Sequence, residues 1–164
     1  MSIGTIQAEE RGSRVTQKEL AEHINLSRSM VAEIEAGRRK LPRDVAPRAV
    51  KTLDSGFYAM EVAAEMTGGS WVTKLNNVDL HRSAVKEKSL EELEEATQWI
   101  RKTSIANKSN TSEEIKKVLL ESIDAIVALS HFVAVVCKEY SVSWVGIWRE
   151  HRQKLKERGY LKGE

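Results

Sequence analysis

The chain has 164 residues and a formal net charge of +2. That length allows one compact domain or two small ones. So small a charge excludes a uniformly basic, chromatin-type protein, and any affinity for nucleic acid must come from local clustering of cations. The single cysteine, Cys137, excludes an internal disulfide framework; lying in an apolar run, it reads as a core residue in a reducing compartment.

The first residues lack a basic start followed by an apolar stretch, so no secretory leader is expected. Ile3 and Ile6 are the apolar anchors of a first helix before Gly12. Thr16 with Glu19 three residues on forms a capping box. Leu20, Ala21 and Ile24 then make the apolar face of a second helix. Asn25 tolerates the left-handed conformation of a tight exit, Leu26 plugs the space between helices, and Ser27 caps a third helix. Val31 and Ile34 form that helix's inner face, with Met30 at its edge. Gly37 stands where a left-handed cap is expected. Small Ala21 lets the third helix cross closely over the second. A basic run follows, Arg38, Arg39, Lys40 and Arg43, with Glu35 expected to tie to it. A fourth helix is expected over 44–53, regular from Pro47 onward, and a fifth over 57–66, with Tyr58, Val62 and Met66 on one face.

Residues 16–37 resemble the helix-turn-helix of the Cro/CI type, often called the XRE family. The matching residues are Gln17, Leu20-Ala21, Leu26-Ser27-Arg28-Ser29, Val31, Ile34-Glu35 and Gly37, then the basic run and Pro42. The resemblance covers roughly 3–66. It implies a five-helix DNA-binding domain in which the residue at the Gln17 position touches the DNA backbone and the start of the third helix reads bases. The implied reading residues are Arg28, Ser29, Ala32 and Glu33. The chemistry agrees. Arg28 can make a bidentate contact to guanine, and Glu33 can accept from a cytosine amine. The helix N-terminus capped by Ser27 suits a phosphate. Arg38, Arg39, Lys40 and Arg43 suit positioning on phosphates rather than sequence reading.

Gly68-Gly69 closes this first domain (1–69). Residues 70–88 read as a linker, in which 71–75 and 78–80 can pair as a small β-hairpin around Asn76-Asn77. The region 89–164 reads as a helical bundle of three helices. Ser89 with Glu92 caps the first, over 90–106, and Asn107–Asn110 break it. Thr111 with Glu114 caps the second, running to about 140. The third covers 144–158 and ends at Gly159. The second helix is apolar on several sides between Ile123 and Val136, so we expect it at the centre of a bundle or dimer interface. The longest apolar run, 125–137, is interrupted by Ser130-His131 and is too short to span a bilayer. Trp144, Trp148, His151 and Leu155 make a stripe on the last helix, as core or partner surface. His131 and His151, with no cysteine ligand pattern nearby, do not suggest zinc.

Glu92-x-x-Glu95 and Glu121-x-x-Asp124 put paired carboxylates on two successive helices, a pattern able to clamp Mg²⁺. Over 89–158 this is similar to the all-α nucleotide pyrophosphohydrolases of MazG type. The helical wheel sets Glu95 opposite Leu90, Leu93 and Ile100, and Asp124 opposite Ile115, Ile126 and Val133. Both are therefore expected on outer faces, and the constellation is not expected to be a working metal site. The whole is read as an all-α, cytoplasmic transcriptional regulator of phage-like type, a repressor that binds double-stranded DNA as a homodimer, with neither cofactor nor enzymatic activity. Two alternatives stand beside it. One is an autoregulating helix-turn-helix whose C-terminal helices bind and inhibit another protein. The other is a Mg²⁺-dependent nucleotide hydrolase.

Overall fold

The computed structural model describes residues 2–12, 14–105 and 111–162. Every regular element among the described residues is an α-helix: α1 Ile3–Arg11, α2 Gln17–Ile24, α3 Arg28–Glu35, α4 Ala46–Leu53, α5 Gly56–Met66, α6 Arg82–Lys102, α7 Ser112–Glu139 and α8 Trp144–Glu157. The polar break at 107–110 lies outside the described residues. The chain divides into two units. One comprises Met1–Asn76 and Val136–Glu164, the other Asn77–Val135. This differs from a division at the 70–88 linker, because the last helix groups with the first unit.

In the first unit the local signals do what the residue types dictate. Thr16 accepts from the Glu19 amide, and the Glu19 carboxylate accepts from the Thr16 amide at 2.7 Å. These bonds hold the Glu19 carboxyl below its ordinary range. Asn25 takes the left-handed conformation at φ 57°, and Ser27 caps α3 through the Met30 amide. Pro47 sits in the first turn of α4, where its missing N–H costs nothing.

The core of the unit gathers Ile3 and Ile6 of α1, Leu20, Ala21 and Ile24 of α2, Val31 and Ile34 of α3, Leu41, Val45, Ala49 and Leu53, and Tyr58 and Val62 of α5. The short first helix thus packs fully. The reason lies at Gly4: a Cβ there would stand 1.8 Å from the Ile34 carbonyl oxygen. The bare backbone lets α1 lie directly on the end of α3. Beneath it Gln7 and Glu10 are buried polar residues. Gln7 Oε1 accepts from the Tyr58 hydroxyl at 2.9 Å, and Glu10 accepts from Ser55 at 2.8 Å and from Lys138 at 2.9 Å. Burial, with Glu35 and Glu65 nearby, pushes the Tyr58 phenol far up, so it stays a donor. The start of α8 is tied to the same unit, where the Val145 amide donates to Asp54 Oδ1 at 2.7 Å.

The hairpin does not form. Residues 71–80 are irregular, held by Thr73 and the Lys74 amide on Glu61 and by Lys74 on Glu9. The 71–75 flank is instead drawn to the carboxylates of Glu61 and Glu9.

In the second unit α6 begins at Arg82, capped by His81, eight residues before the expected start. Ser89 is therefore not a cap. It lies mid-helix, donating to the Val85 carbonyl at 2.7 Å and reaching the Ala128 carbonyl of α7 at 3.1 Å. The Thr111–Glu114 box does cap α7. α6 buries Val85, Ser89 and Ala96, and α7 buries Val118, Glu121 and Ala125 and, toward its end, His131, Ala134, Val135 and Cys137. Small side chains permit a close approach, so this face turns inward and the large aliphatic faces turn out. Leu90, Ile100, Leu119, Ile123 and Ile126 are about half exposed or more, whereas Ala125, His131, Ala134 and Val135 are buried, so the 123–136 stretch is only partly covered within the chain. At 28 residues α7 is also longer than its apolar run, and in length and composition sufficient to cross a membrane.

Gly4→Ala should lower unfolding stability by about 1–3 kcal/mol through forced displacement of α1 from α3. Urea titration of the purified chain checks this; an unchanged midpoint would show that the two helices do not meet as described.

Candidate nucleic-acid interface

The reading surface is built on α3. Val31 and Ile34 point into the core, which turns the opposite side outward. Arg28 and Ser29 are exposed at its N-terminus, while Ala32 and Glu33, one turn on, are half buried. The spacing i, i+1, i+4, i+5 keeps these four on one face. Ser27 Oγ caps the helix and lies 2.9 Å from Ser29 Oγ. Beyond Gly37, at φ 72°, Arg38, Arg39, Lys40 and Arg43 are all exposed.

Glu35 is the correction in this region. It does not reach the basic run. Its carboxylate takes Arg11 in two bonds, from Nε at 2.8 Å and from Nη2 at 3.2 Å, and Gln17 Nε2 at 2.8 Å. Arg11 also donates to the Val15 carbonyl at 2.8 Å. One carboxylate thus joins the end of α1, the loop before α2, the start of α2 and the end of α3. Gln17, expected at the DNA backbone, has its side-chain amide engaged in this strut, though the residue stays partly exposed at the N-terminus of α2. The carboxylate near the basic run is Glu33, whose Oε2 lies 3.8 Å from Arg39. Both side chains are about half exposed, so that pair is weak and can open. Arg11 went unnoticed in the sequence because its partner is 24 residues away and no short-range pattern links them.

A family model described as helix-turn-helix matches residues 11–57. This segment is a DNA-binding helix-turn-helix of the XRE type. The matched span runs from Arg11 through α2, α3 and α4 to Phe57, so it holds both partners of the Arg11–Glu35 strut and the whole basic run. Neither the curated proteins nor the solved structures contain a match.

A second constellation lies in the other unit. The carboxylates of Glu92, Glu95 and Glu121 each offer an oxygen within 4.8 Å of the others. The expected outward placement of Glu95 took the Leu90/Leu93/Ile100 side as the inner face. Since the inner face is Ser89/Glu92/Ala96, exposed Glu95 stands at its edge and its carboxylate converges with the other two. Asp124 is exposed and outside this group. Lysines already answer two of the three. Lys88 lies 2.7 Å from Glu92 and 2.8 Å from Glu91, and Lys117 pairs with Glu121, which holds the Lys117 ammonium above its ordinary range. Trp99 packs beside them, with Lys102 at 4.9 Å and Lys117 at 5.7 Å from its ring centre.

Glu35→Ala leaves the guanidinium of Arg11 half-desolvated and without its acceptor. We expect a loss of about 2–3 kcal/mol, below the value for a fully buried pair because Arg11 keeps some contact with water. Denaturant unfolding of Glu35→Ala against wild type measures it.

Proposed function

We propose that the protein is a transcriptional repressor of phage-like type, cytoplasmic, that reads operator DNA with the outer face of α3. The observation that carries this is the pairing of an outward Arg28-Ser29 edge with four exposed cations just beyond the same helix. On this reading Arg28, Ser29, Ala32 and Glu33 face base edges. Gln17, Ser27, Arg38, Arg39, Lys40 and Arg43 face phosphates. Arg28→Ala should cost roughly 1–3 kcal/mol on the cognate site and relax its base preference, whereas Arg39→Ala should weaken all sequences alike and flatten the salt dependence by about one counterion. Anisotropy titrations at several salt concentrations test both; unchanged site preference in Arg28→Ala would overturn the docking.

We also propose a homodimer through the second unit. Leu119, Ile123 and Ile126 recur at one side of α7, and Leu90, Leu93 and Ile100 at one side of α6, all exposed. Such a face needs cover, and pairing two readers matches half-sites about one DNA turn apart. Light scattering should give twice the mass of the chain at micromolar concentration. A monomer, or recovery in the membrane fraction through α7, contradicts this.

The nucleotide-hydrolase reading has one observation in its favour, the convergence of Glu92, Glu95 and Glu121. Three carboxylates suit a hard cation, and Mg²⁺ held by them would supply charge for a phosphate group. Against it, Lys88 and Lys117 already pair with Glu92 and Glu121 without metal. We therefore propose that it is a lysine-satisfied helix contact and not a catalytic centre. Nucleoside-triphosphate turnover with Mg²⁺ that vanishes in Glu121→Gln would reverse this judgement.

A further inference from the structure

Residues 144–162 carry six cations, Arg149, Arg152, Lys154, Lys156, Arg158 and Lys162, against two carboxylates, Glu150 and Glu157. The excess of four is twice the net charge of the whole chain, +2. Several cations elsewhere are held by a carboxylate, among them Arg11, Lys74, Lys88, Lys117 and Lys138. Among the described residues none of the six on α8 and its tail has such a partner. Five of them are exposed, and Lys156 is half buried. Arg28, Arg38, Lys40 and Arg43, which face DNA on the reading above, likewise have no carboxylate partner among the described residues, as do scattered cations such as Arg48, Lys51 and Lys116.

The placement on the helix is ordered. Trp144, Trp148, His151 and Leu155 recur along one side, with Trp144 and Trp148 edge to face at 5.7 Å and Trp148 and His151 at 6.0 Å. Arg149, Arg152 and Lys156, at i, i+3 and i+7, line one flank of that stripe over about 10 Å of helix. Lys154 and Arg158 line the other. Glu150 and Glu157 fall on the far side. Trp144 is buried and Val145 is tied to Asp54, which seats the first turn in the first unit. Beyond it Trp148 is 53% exposed.

We propose that α8 is a second DNA contact, a cationic arm that grips the phosphate backbone beside the site read by α3. This rests on the DNA-binding reading and extends it. A second copy of α8 carries the same charge and is repelled, so the occupant is a polyanion. Duplex DNA is favoured over an anionic bilayer because the helix is anchored in the unit that holds the reading helix. Phosphate contacts of this kind add affinity and register without sequence information.

The test uses the full chain and a mixed-sequence duplex of about 40 base pairs, with anisotropy followed across a potassium chloride series. Wild type is compared with Arg149→Ala/Arg152→Ala/Lys156→Ala. Each lost phosphate contact removes about 0.9 from the slope of log affinity against log salt, so the triple variant should lose roughly 2–3 in slope and roughly tenfold or more in affinity. A double variant, Arg149→Lys/Arg152→Lys, which keeps Lys156, should retain the slope. Circular dichroism checks that helix content is unchanged in all three, and Arg28→Ala, which leaves α8 intact, should keep its α8-dependent share of the slope. If wild type binds duplex and the alanine variant has the same slope, the proposal is wrong while DNA binding stands. The same holds if the variant loses binding only to phosphatidylglycerol vesicles. If wild type binds no duplex at any salt, the DNA-binding reading itself fails and takes this one with it.

Discussion

The first unit depends on one carboxylate. Glu35 sits at the end of the reading helix with its side chain almost wholly buried, and it receives both Arg11 and Gln17. A bidentate guanidinium–carboxylate contact fixes direction as well as distance. It therefore sets where α3 stands relative to α1 and to the start of α2. Gly4 completes the constraint by letting α1 touch the backbone of α3. The outward edge of Arg28 and Ser29 is a consequence of these inward contacts. A reading helix free to rotate by one residue would present Val31 or Ile34 to the groove.

The parts legible in the sequence were those written in local chemistry. Capping at Thr16–Glu19, Ser27 and Thr111–Glu114, the left-handed Asn25 and Gly37, and the inner pair Val31–Ile34 are each decided within four or five residues. Both the helix-turn-helix and the exposure of Arg28, Ser29 and the basic run could thus be read directly. What was misread is decided at long range. Glu35 next to a basic run pointed to that run, but Arg11 reached it first with better-directed donors and a drier site. Lys138 and Glu10, 128 residues apart, join α7's last turn to α1 with no trace in any local pattern.

The second unit was misread for a different reason. Large aliphatic residues on α6 and α7 were taken to mark the inner face, which is the sound default for a chain that folds alone. Here small residues, Ser89, Ala96 and Ala125, are buried instead, and Ser89 reaches the Ala128 carbonyl. The aliphatic sides are left exposed, and Glu92 and Glu121 turn inward to Lys88 and Lys117. Periodicity gives the faces of a helix but does not rank a face of small residues against a face of large aliphatic ones. The same holds for α8, whose stripe divides between a buried Trp144 and an exposed Trp148.

The central claim is that an XRE-type reader, steadied by Glu35, recognises a defined duplex sequence through α3. The most direct measurement is binding-site selection by the full-length protein from a random duplex library, sequenced over successive rounds. The account predicts convergence on a short motif, repeated with inverted symmetry at a spacing of about one helical turn, with guanine favoured at one position in each half. A population that stays random after repeated rounds, while the protein remains folded and binds the library, would contradict it.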